Sequence, residues 1–124
     1  KNNLFAIIVD IHAEATSEKI ALFHYLDGRV SAILGTHTHI MTADSKITKN
    51  GAAYITDVGM VGAAEECLGV GKENIIKTFL TQIKSAHVIP EKGEAIFNAA
   101  LITINPRTNK ATDIKPITKF IEIK

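Results

Sequence analysis

The chain opens on a run of apolar residues, Leu4–Val9, with no polar alternation. Such a run predicts a strand covered on both faces of a sheet. Asp10-Ile11-His12 follows and places polar groups where that strand should emerge. After Ala13–Thr16 the pattern predicts a helix, capped by Thr16 or Ser17, with Glu18 at its positive end. The helix should run to about Asp27, and Gly28 supplies the left-handed residue that ends it. Arg29–Leu34 predicts a second strand, leading into Gly35-Thr36-His37-Thr38-His39. Strand, helix and strand in this order form a βαβ unit, so the two strands should be parallel neighbours.

Further along, Asn50-Gly51 is a strong hairpin-turn signal, joining a segment near Lys46–Thr48 to a strand over Ala52–Thr56. Asp57-Val58-Gly59-Met60 reads as a loop, and residues 61–71, with Gly62, Gly69 and Gly71, as irregular. Ile75, Ile76, Phe79, Leu80 and Ile83 recur at helical spacing and predict an amphipathic helix from Lys72 to about Lys84. The tail alternates over Glu94–Asn105 and Ala111–Ile123, around a turn at Pro106-Arg107-Thr108-Asn109. This predicts an antiparallel hairpin added to the sheet, with Pro116 placing its second strand at an edge or bulge.

Composition narrows the class. The 124 residues are 46% hydrophobic and 22% charged, which predicts a packed core. A net charge of +1, with Lys and Arg scattered, creates no basic field for nucleic acid. The single cysteine, Cys67, cannot form an internal disulfide and fits a reducing cytoplasm. It follows Glu65 and Glu66, whose charges disfavour a thiolate, so it is expected to be a small buried apolar residue. Leu4–Val9 is far short of the roughly 20 residues that span a bilayer, and it lacks the layout of a signal peptide. The first residue is Lys1, and the chain begins directly on a core strand, so a fragment or one half of a longer polypeptide is expected.

The candidate chemistry lies in the histidines. Two histidines at i and i+2, His37 and His39, are by themselves as readily two surface residues in a turn. They can also face one metal ion or two neighbouring ions, and imidazole is the commonest ligand of Zn, Fe, Mn or Ni. His12 changes the reading. It ends one predicted strand while His37 follows the next, and parallel neighbours lie about 4.8 Å apart. Their carboxyl ends can therefore aim side chains at one point, the edge where open α/β sheets bind ligands. Asp10, Glu14 and Asp57 are candidate supports for the histidines, or simple helix and turn caps. His24 and His87 are expected to be structural or exposed. Gly69-Val70-Gly71 lacks the third glycine of a dinucleotide fingerprint, and there is no GxxxxGK[ST], GxSxG or CxxC. The few aromatics do not interleave with basic residues.

Asp10-Ile11-His12-Ala13-Glu14-Ala15-Thr16-Ser17-Glu18-Lys19, Leu26–Ala32, Gly35–His39, Thr42-Ala43-Asp44 and Ala53–Met60 together resemble the YmdB-like metallophosphoesterases, a branch of the calcineurin-like phosphoesterase superfamily. The resemblance runs through residues 5–60 and is looser afterwards. It implies an α/β sandwich of two β-sheets flanked by helices, of which residues 1–124 are only the C-terminal part of a single domain. It implies two iron or manganese-type metal ions, with His12 and His37 sharing one and His39 taking the other. The remaining ligands and the general-acid histidine are expected in an N-terminal half. The implied activity is phosphodiester hydrolysis by metal-activated water, with cyclic nucleotides as substrates. An RNA-related substrate or partner, a homo-oligomer and no membrane association are further expectations. Where family members carry a Thr-Gly-Pro-Tyr run, this chain has Val61-Gly62-Ala63-Ala64, so loop-borne substrate contacts are not carried over. The competing readings are a regulatory protein that binds metal or nucleotide without catalysis, and a bare metal-binding module.

Overall fold

The computed structural model describes residues 4–124; Lys1, where the chain's abrupt opening was read, lies outside them. The elements are β1 (Ile8–His12), α1 (Thr16–Leu26), β2 (Ala32–Thr36), β3 (Lys46–Ile47), β4 (Ala53–Ile55), β5 (Val61–Ala63), α2 (Lys72–Thr81), β6 (Gly93–Ile104) and β7 (Ala111–Ile123). They form an α/β arrangement of two sheets, in the orders β1-β2-β4-β3 and β5-β6-β7. The chain divides into two compact units, residues 1–59 with 99–117, and residues 60–98 with 118–124.

In the first unit, β1 and β2 are parallel, in a register that sets Ile8 against Ala32 and His12 against Thr36. β2 is also parallel to β4, and β3 closes the sheet as an antiparallel partner of β4. Gly51, at φ +90°, makes the tight turn between β3 and β4. Alternation along the two central strands sends side chains to opposite faces. Ile33 and Tyr54 pack with Phe23 of α1, together with half-buried Val9, Ile11, Leu26 and Val30. Ala32 and Ala53 turn the other way and meet Ala111, Ile102 and Ile114 of the β6–β7 hairpin. The small residues on that second face let the hairpin backbone come close.

Several boundaries differ from the sequence reading. The first strand is Ile8–His12 rather than Leu4–Val9, and Leu4 and Phe5 are more than half exposed. β1 is an edge strand whose burial alternates, so only Val9 and Ile11 reach the core. The second strand is Ala32–Thr36 rather than Arg29–Leu34, because the ladder with β1 begins at Ala32. The residue capping α1 is Ala15, with no side-chain cap; Gly28 follows the helix at φ +82°, as its position predicts.

In the second unit, residues 61–71 are not wholly irregular: β5 pairs antiparallel with β6, Val61 opposite Phe97. α2 ends at Thr81, where Gln82 takes the left-handed conformation, and none of its residues is buried. Cys67 is half-buried rather than buried, bridging to Val70 through the backbone. The hairpin forms where expected, but it joins β5 in a separate sheet rather than extending the first one. β7, which carries Pro116, lies at that sheet's edge. Among the described residues, no helix is long and apolar enough to cross a membrane.

Candidate metal centre

β1 and β2 end side by side, and the register that aligns His12 with Thr36 puts His37 one residue beyond the same edge. His12 Nε2 and His37 Nδ1 lie 3.3 Å apart, and their rings meet edge-on with centroids 5.1 Å apart. Both imidazoles are exposed at the rim. Two nitrogen ligands at about 2.0–2.1 Å from one cation stand roughly 3–3.4 Å apart at tetrahedral or octahedral angles. The observed separation fits one shared cation. In metal-free protein the same gap admits an N–H···N hydrogen bond.

Thr36 Oγ1 lies 3.1 Å from His12 Nδ1 and 3.4 Å from the Ile11 carbonyl oxygen, to which it can donate. With Nδ1 protonated, His12 donates to this hydroxyl and keeps a lone pair on Nε2, the atom that faces His37 and the form a cation requires. The support expected from a carboxylate comes from a threonine hydroxyl instead.

His37 and His39 both sit at positive φ, +142° and +65°. Such backbone is costly for residues other than glycine and persists where surrounding structure enforces it, most often at functional sites. Among the described residues, no three His, Cys, Asp or Glu side chains gather into one metal-holding group. The structure brings His12 and His37 together; His39 is placed two residues further along the same exposed loop.

The acidic candidates behave differently from one another. Asp10 and Glu14 are exposed. Asp57 is fully buried and ion-paired with Lys19 of α1 at 3.1 Å, where both side chains are 1% exposed. Burial alone would raise the Asp57 pKa, but hydrogen bonds from the Thr38 and Gly59 amides and from Lys19 bring it below the usual value. Asp57 thus caps the turn, accepting the Thr38 and Gly59 amides. Asp44 was not among the candidates. Its carboxylate accepts from Thr42 Oγ1 at 2.6 Å, from the Thr56 amide at 3.1 Å and from the Thr56 hydroxyl. Its place three residues after Met41, which bridges to Val58, explains this: the loop folds back on the end of β4. Lys19 was missed as well, since a lysine on a helix reads as solvated. His24 and His87 are exposed, as expected.

Two sheets and two helices, with His12 and His37 meeting at the carboxyl edge of parallel strands, are consistent with part of a metallophosphoesterase fold. The chain belongs to the YmdB-like protein family, whose model matches residues 1–117. Membership in this metallophosphoesterase-type family implies divalent metals. Over 111 residues the chain is 49% identical to a 2',3'-cyclic-nucleotide 2'-phosphodiesterase of Bacillus subtilis, covering 90% of this chain and 42% of that protein. A hypothetical protein of Thermus thermophilus superposes with a TM-score of 0.85 at 40% identity, over 93% of this chain and 44% of that one. A phosphatase of Mycoplasma pneumoniae gives a TM-score of 0.85 at 36% identity, over 93% and 41% respectively. The chain therefore spans less than half the length of the relatives it matches.

Proposed function

We propose that this chain supplies part of the dinuclear metal centre of a phosphodiesterase that hydrolyses cyclic-nucleotide phosphodiesters in the cytoplasm. His12 and His37 hold one iron or manganese ion and His39 a second. The observation that carries this reading is the 3.3 Å approach of His12 Nε2 to His37 Nδ1 at the strand ends. The substrate class rests on the likeness to the Bacillus subtilis phosphodiesterase.

Bound divalent cations supply Lewis acidity toward phosphate oxygens and make water nucleophilic at neutral pH. With Nδ1 protonated, His12 donates to Thr36 and keeps its Nε2 lone pair on the side that faces His37. His37 and His39 both present their side chains from positive-φ backbone in one exposed loop. All three imidazoles stand at an exposed rim, open to a phosphodiester arriving from solvent. The general acid and the remaining ligands belong, on this reading, to an N-terminal part of the protein.

The test uses the complete protein. His39→Ala should lower bound manganese or iron by one equivalent and remove most hydrolysis of 2',3'-cyclic nucleotides. Wild-type metal content and turnover in that variant refute the assignment.

A further inference from the structure

Asp57 ties the histidine loop to the fold at both of the loop's ends. Asp57 Oδ2 accepts the Thr38 amide at 2.8 Å and Lys19 Nζ at 3.1 Å, while Oδ1 accepts the Gly59 amide at 2.9 Å. The backbone of Asp57 holds the other end of the same loop: its carbonyl accepts the Thr42 amide at 3.0 Å, and its amide donates to Thr42 Oγ1 at 2.9 Å. Next to it, the Val58 amide donates to the Gly35 carbonyl at 2.9 Å. Thr38 is the residue between His37 and His39, the two histidines at positive φ. The bond from its amide to Asp57 thus sits at the centre of the strained segment.

We propose that Asp57 and Lys19 are positioning residues, a buried pair that fixes the His37–His39 backbone in a ligand-presenting conformation; this rests on the reading of that loop as metal-binding. The chemistry requires a carboxylate. Three donors converge on Asp57, and two of them share one oxygen. An asparagine at this position offers one acceptor oxygen and an NH2 that cannot accept, so one backbone amide loses its partner. The lysine is required because a carboxylate removed from water is costly without a counter-charge. Its stem reaches Asp57 past Gly35, where an added Cβ would stand 3.1 Å from Lys19 Cδ.

A purely structural ion pair predicts something different, and a double substitution separates the two. In the complete protein, Asp57→Leu removes every acceptor, strands the Lys19 charge and should lower both melting temperature and metal affinity. Adding Lys19→Met removes the stranded charge, so the melting temperature of the metal-free double variant should recover. The amide bond to Thr38 does not recover with it. Manganese affinity by calorimetry should therefore stay about 10–100-fold below wild type, the range seen when supports of metal-ligating side chains are lost. Thr38 amide exchange should stay accelerated in the metal-free protein.

Ile33→Val, in the core beside α1, is the control for lost stability without a changed loop, and should bind manganese as wild type does. Wild-type affinity and wild-type Thr38 exchange in the folded double variant overturn the proposal, even while His37→Ala abolishes binding. If His37→Ala itself binds manganese normally, the metal reading of the loop fails, and the positioning role falls with it.

Discussion

Gly35 and Thr56 approach so closely that a Cβ on Gly35 would lie 1.8 Å from the Thr56 carbonyl oxygen and 2.7 Å from its carbon. The obstacle is backbone, which cannot swing aside as a side chain can. The glycine is therefore a packing requirement between β2 and the end of β4, one residue before the threonine that supports His12. Gly35→Ala should cost at least about 3 kcal/mol, the upper part of the range for overpacked cores. Urea denaturation of the variant measures it, and a loss under about 1 kcal/mol would show that the strands separate freely.

Thr36 gives a more selective prediction. Thr36→Val keeps the shape of the side chain and removes the hydroxyl that accepts His12 Nδ1–H at 3.1 Å. Without it, the Nδ1–H tautomer of His12 loses its acceptor, and the tautomer with Nε2–H cannot bind a cation through Nε2, the atom that faces His37. Metal affinity should fall by about 10-fold or more, while the unfolding midpoint of the metal-free protein changes little. Titration calorimetry against the wild-type protein reads the first, and circular dichroism the second.

Acid should unfold the first sheet unit for an identifiable reason. Burial pushes the Asp44 pKa up, but hydrogen bonds from Thr42 and Thr56 outweigh it and leave the pKa below the ordinary 3.8. A group with a depressed folded pKa contributes fully above its unfolded value and loses that contribution as pH falls through the folded one. Asp57 acts in the same direction. Stability should be flat from neutrality to about pH 5 and should decline below about pH 4. Asp44→Asn should be less stable at neutral pH and show a shallower decline. Denaturation midpoints at several pH values test this, and identical slopes in the two proteins contradict it.

Metal should stabilise the folded protein, because the paired histidine nitrogens exist only when β1 and β2 are in register. A ligand that binds the folded state alone, at 100 times its dissociation constant, adds about 2.7 kcal/mol. Manganese should raise the melting temperature of the complete protein, and a chelator should reverse the shift. His12→Ala should reduce the response. An equal shift in wild type and His12→Ala would place the bound ion elsewhere.

The elements themselves were largely legible in the sequence. The βαβ unit, the Asn50-Gly51 turn and the terminal hairpin followed from apolar runs, turn residues and alternation, and all three are present. Strand limits were harder to read. Leu4–Val9 announces burial, but the ladder starts only where β2 offers a partner, at Ile8 opposite Ala32. The helical spacing predicted from Lys72 to about Lys84 gave a helix that stops at Thr81, and Phe79 and Leu80 on it are 74% and 80% exposed. Periodicity shows that a helix has an apolar face and does not show what covers it.

His12, His37 and His39 were singled out by their places after predicted strands, and the structure brings the first two together. That much the sequence determined alone, because a strand's carboxyl end and a short polar motif are both local. Lys19 and Asp57, 38 residues apart, became a pair only in three dimensions. Lys19 looks like a solvated charge and Asp57 like a turn cap or histidine support until the two are placed side by side, and no local pattern encodes their meeting. The strained conformations of His37 and His39 are likewise decisions of the tertiary structure. They hold because Asp57, on a different strand's end, takes the amide between them.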